Sequence, residues 1–68
     1  MEWQHLENLF RRYKDQHVTI KTVTGGVYVG RVSEVAGVYV GILEGEGEER
    51  AQVFLLYHAV EAVLPQDA

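Results

Sequence analysis

The sequence predicts a mainly β domain with one N-terminal α-helix, its five short antiparallel strands bent strongly enough to close into a small barrel. Three observations carry this expectation. Apolar residues follow a helical period up to about residue 15 and then switch to the two-residue alternation of strands. Three of the four connections between the later apolar runs contain glycine, TGG at 24–26, AG at 36–37 and EGEGEER at 44–50. The chain has 68 residues and no cysteine, so residues 1–68 form one domain with one small core and no disulfide to staple it.

Residues 2–15, EWQHLENLFRRYKD, place Trp3, Leu6, Leu9, Phe10 and Tyr13 on one helical face. Glu2 near the start and Arg11, Arg12 and Lys14 near the end suit the helix dipole, and Glu7 and Arg11 are spaced for an i,i+4 ion pair. VTIKTV (18–23) alternates, with Val18 and Ile20 inward and Thr19 and Lys21 outward. VYVGRVSEV (27–35) is a long second strand whose central Gly30 marks a bend, a bulge or a close backbone approach. VYVGIL (38–43) is the third strand. The acidic run 44–50 is a solvated loop without the spacing of a calcium loop. AQVFLLYH (51–58) is apolar almost throughout, which implies burial on both faces or one face against a partner subunit. EAVLP (61–65) is a short last strand ended by proline, and residues 66–68 form a tail.

Composition excludes several classes of function. The formal net charge of -4 argues against indiscriminate nucleic-acid binding while leaving room for a local basic patch. The N-terminus is polar and charged, unlike a secretory leader, and no apolar run approaches the ~20 residues of a membrane span, so the expectation is a soluble cytoplasmic protein with no membrane partner. His5 and His17 have no metal-ligand partner at useful spacing and nothing suggests zinc, so neither metal nor cofactor is expected. No nucleophile–base pair or phosphate-cradling glycine loop points to an enzyme. A chain this small without staples gains stability by self-association.

Three stretches in order, NLFRR (8–12), VTIKTVTGGVYVG (18–30) and YHAVEAVLP (57–65), resemble the Sm-like (LSm) family, most closely its bacterial RNA-chaperone branch, Hfq. The likeness covers about residues 6–65, with a helix-to-strand connection one residue longer than usual. The resemblance implies a strongly bent five-stranded sheet with an N-terminal helix. It also implies a homo-oligomeric ring, typically a hexamer, held by pairing the fourth strand of one protomer with the fifth of the next. Single-stranded RNA would be the ligand. It implies His58 and Tyr57 beside the pore, Tyr57 offering a stacking face, and Arg11, Arg12 and Lys14 as a phosphate-contacting rim. The sequence departs from the family at Ala36, Gly37, Val38 and Val40 in and after the turn following the second strand. Tyr57 replaces a lysine, and Lys21, Val27 and Val29 replace the residues of the opposite ring face.

These departures leave two functions open. One is an RNA-binding ring acting in post-transcriptional regulation. The other is a ring-forming protein-interaction scaffold that has kept the fold and lost the RNA site, with Val27, Val29 and Val38 as its protein contacts. His58 likewise has two readings, a pore-facing ligand group or a structural histidine bracing the turn before the last strand. Arg11, Arg12 and Lys14 read equally as a phosphate rim or as an ordinary solvated helix end.

Overall fold

The computed structural model describes residues 3–45 and 47–65. Helix α1 (Gln4–Arg12) is followed by β1 (His17–Thr22), β2 (Val27–Val35), β3 (Tyr39–Glu44), β4 (Ala51–Leu56) and β5 (Val60–Pro65). The mainly β class with a single N-terminal helix is as the sequence predicts. The helix is shorter than 2–15: after Arg12 the chain turns, and Asp15 takes a left-handed conformation at φ 69, which aspartate tolerates better than most residues. Glu2 of the expected helix, Glu46 of the acidic loop and the tail 66–68 lie outside the described residues. No described helix is long and apolar enough to cross a membrane.

All five strands join one antiparallel sheet in the order β4-β3-β2-β1-β5. The expected closure into a barrel does not occur. β4 pairs only with β3 and β5 only with β1, so these two strands are the open edges of the sheet. The sheet is nonetheless strongly bent, for a geometric reason. A flat sheet of five strands would hold its edges about 19 Å apart, four spacings of about 4.8 Å. The chain passes from the end of β4 to the start of β5 through the turn Tyr57–Ala59. Even fully extended, the four steps from Leu56 to Val60 reach only about 14 Å.

The bend falls in β2. Its residues 27–31 pair with β1 and its residues 31–35 with β3, so the strand belongs to two half-sheets. Gly30 stands at the junction. A Cβ there would lie 2.4 Å from the Leu43 carbonyl oxygen, so the backbone approach requires glycine. A register shift between Val32 and Glu34 adds a bulge just beyond it.

Inside the bend lie Phe10 of α1, Val18 and Ile20 of β1, Val32 of β2, Val40 and Ile42 of β3, Leu55 of β4, and Tyr57. Trp3, Leu6 and Tyr13 pack on this cluster half-buried, as the helical face predicts, whereas Leu9 of the same predicted face is not among the residues packed on it. β4 is not buried on both faces: Leu55 points in, while Phe54 and Leu56 remain 54% and 49% exposed on the outer side.

Gly30→Ala adds only the methyl that the Leu43 carbonyl excludes. It should destabilise the domain by about 1–3 kcal/mol, whereas Arg31→Ala, at an exposed position on the same strand, should stay within about 0.5 kcal/mol. Urea unfolding of the two variants measures both; equal effects would remove the close approach as the cause of the bend.

Candidate functional site

The helix end gathers the basic residues. Arg11 and Arg12 occupy the last turn of α1, and Lys14 follows in the turn beyond it. Arg11 is already engaged: its Nη2 lies 2.6 Å from the Glu7 Oε2, and its Nε donates to the same oxygen at 3.2 Å. Lys14 Nζ stands 3.8 Å from the Asp15 carboxylate. Arg11 and Lys14 face β2 across an open cleft of about 410 Å³, lined on the strand side by Ser33, Glu34 and Val35. The structure therefore brings two of the three predicted rim cations together. Arg12 is exposed and does not line the cleft.

The cleft is of mixed charge. Glu34 accepts a hydrogen bond from the Tyr39 hydroxyl at 2.8 Å, and that bond together with the carboxylate's charge pushes the Tyr39 phenol upward. Ser33 is tied down, its hydroxyl donating to the Gly41 carbonyl at 3.1 Å and accepting from Gln52 Nε2 at 2.8 Å. Tyr39 meets Phe54 edge-to-face with ring centroids 5.4 Å apart, so Glu34, Tyr39 and Phe54 form a connected group on the outer side of β2–β4. Reading the sequence alone missed this group, because only the pairing of Glu34 with Gly41, and of Gly41 with Phe54, sets the three side chains on one face.

Tyr57 corrects an expectation. Its ring is fully buried and stacks on Phe10, with centroids 5.9 Å apart and planes 10° from parallel. Its hydroxyl donates to the Ala36 carbonyl at 2.5 Å. The face expected to stack on a base is occupied by the helix, so Tyr57 is a core residue. Burial first, then the Glu7 carboxylate, push its phenol up to about 12 against the opposing charge of Arg11.

His58, next in the chain, is exposed and makes no side-chain hydrogen bond to a described residue. A structural histidine bracing the turn is therefore not what is found. Backbone bonds hold the turn instead: Tyr57 N–H donates to the Val38 carbonyl, and Val23 N–H to the Ala59 carbonyl. These bonds set two exposed valines, Val38 and Val23, on either side of the His58 turn.

The valines named as protein contacts divide between two surfaces. Val27 and Val29 share the outward face of β2, while Val38 belongs to the His58 surroundings. Among the described residues no group of three or more His, Asp or Glu side chains is placed to hold a metal ion. No protein-family model, curated protein or solved structure matches the chain.

Tyr57 sets an alkaline limit on stability. The unfolded phenol ionises near 10, the folded one near 12. The stabilisation by its neutral form is complete below pH ~10 and is lost as pH rises toward 12. The melting temperature should fall over that interval, and Tyr57→Phe should flatten the fall. At neutral pH the same variant should cost about 1 kcal/mol for the unpaired Ala36 carbonyl. A parallel alkaline decline in both proteins would contradict the assignment.

Proposed function

We propose that the chain assembles into a closed homo-oligomeric ring of the Sm-like kind, and that the ring binds single-stranded RNA. The observation that supports this best is the strand order, which leaves β4 and β5 as two unlike open edges of one bent sheet. Each edge presents unpaired N–H and C=O groups, a ready template for pairing with another chain. Pairing β4 of one copy with β5 of the next joins unlike surfaces, a contact that closes into a ring when the rotation permits. It would also cover the exposed apolar side chains Phe54 and Leu56 with Leu64 of the neighbouring copy. The six-membered count follows from the Hfq resemblance alone.

In such a ring the weak sites of each chain are multiplied. Arg11, Arg12 and Lys14 would form a repeated basic rim suited to phosphate, and His58 a repeated group beside the pore. Tyr57 has no part in it. Because every chain also brings a net charge of -4, affinity would be modest and strongly dependent on salt.

A second reading, the protein-interaction scaffold, is favoured by the exposed valines. Val38 and Val23 flank His58 where an RNA pocket would call for polar or stacking groups, and Val27 and Val29 stand exposed on the outer face.

Light scattering and filter binding test the proposal together. The expected mass is a single multiple of 7.7 kDa, six-fold by the resemblance, and a monomer at 7.7 kDa would refute the ring. Oligo(U) and oligo(A) should be retained at low salt. Arg11→Ala/Arg12→Ala should weaken both and flatten the salt dependence; His58→Ala should change their ratio with little effect on the slope. An intact ring that retains neither RNA at low salt would select the scaffold.

A further inference from the structure

The two halves of the bent sheet have different outward faces. On β5–β1–β2 the register places three rows side by side. Ala62, Lys21 and Val27 make one row, Leu64, Thr19 and Val29 the next, and His17 and Arg31 the third. Val18 and Ile20 are fully buried between these positions, so the rows point outward. Val27, Val29 and Leu64 are 57%, 47% and 45% exposed.

At the outward positions of these three rows the charge has one sign. None of the outward positions in the three rows is Asp or Glu, although the chain carries ten acidic residues against six basic ones. Lys21 and Arg31 have no ion-pair partner among the described residues. Glu44 reaches the region only at the strand edge, where its carboxylate accepts from the Val29 N–H at 3.2 Å. Glu61 sits in the bulge of β5 opposite Lys21 and Thr22. Two cations thus flank an apolar strip.

We propose that this face docks a segment of a partner protein that combines apolar and acidic side chains. The strip supplies desolvation and the cations supply register and sign selection, the usual division between apolar anchors and charged rim. The face carries no tyrosine, phenylalanine or tryptophan, and sequence-tolerant binding of nucleic-acid bases depends on such stacking platforms. That favours a peptide over RNA. Ring pairing would take up Leu64 at the β5 edge, but Lys21, Val27, Val29 and Arg31 lie on the interior strands β1 and β2, so the proposal holds whether or not the ring forms or binds RNA.

The test uses the full chain and a short fluorescein-labelled peptide of alternating leucine and glutamate, read by anisotropy. The Leu/Glu peptide should bind, more weakly as salt rises, while an alternating Leu/Lys peptide and poly-glutamate should not. Lys21→Glu and Val29→Ser should each weaken binding by about tenfold, Lys21→Gln by less, and Arg12→Ala, on the helix end, should leave it unchanged. Circular dichroism confirms that each variant is folded. No binding of the Leu/Glu peptide at low salt, equal binding of the Leu/Lys peptide, or indifference to Lys21→Glu and Val29→Ser would overturn the proposal. So would oligo(A) or phosphatidylglycerol vesicles binding with that same dependence in place of the peptide, since the face would then serve RNA or a membrane. Loss of RNA binding by the rim variants leaves these readouts untouched, so the two proposals fail separately.

Discussion

Tyr57, His58 and Ala59 carry the chain from one edge of the sheet to the other, and their short reach sets the curvature of everything else. Tyr57 makes the link rigid. Its ring stacks on Phe10 of α1, its hydroxyl holds the Ala36 carbonyl in the β2–β3 connection, and its N–H bonds Val38. Helix, connection and edge-to-edge link are thus tied at one side chain. A buried aromatic of this size removes about 150–250 Å² from water, and a stacked pair adds about 0.5–1.5 kcal/mol beyond that area. The curvature then requires a strand without a Cβ where the half-sheets meet, and Gly30 supplies it.

The same curvature organises the surface. Because β2 is divided between β1 and β3, the outer side of the sheet becomes two faces of different character. The β5–β1–β2 face is apolar and basic through Val27, Val29, Leu64, Lys21 and Arg31. The β2–β3–β4 face carries Glu34, Tyr39 and Phe54. The two edges remain unpaired within the chain, and the ring proposed above would pair them between copies.

Much of the fold was legible because its signals are local. Val18 and Ile20 alternate with Thr19 and Lys21, Gly25 adopts φ 94 in the turn where TGG predicts one, and the Glu7–Arg11 pair forms where its spacing places it. The candidate site was less legible because its determinants are long-range. A tyrosine beside an exposed histidine at the end of an apolar run looks displayed, yet Tyr57 is drawn into the core by Phe10, 47 positions earlier. Ser33 has the look of a surface residue and is held by Gly41 and Gln52. Whether β4 and β5 meet within a chain or between chains depends on strand order, which no local pattern states.

The central claim is that the β4 and β5 edges pair between copies. Hydrogen exchange on those strands tests it most directly. At micromolar concentration the outward edge amides of β4 and of the β5 residues before Pro65 should be protected to the level of β1–β3, and dilution should remove that protection while leaving β2 unchanged. Fast exchange along both edges at every concentration, with β1–β3 fully protected, would contradict the account and leave a monomer with open edges.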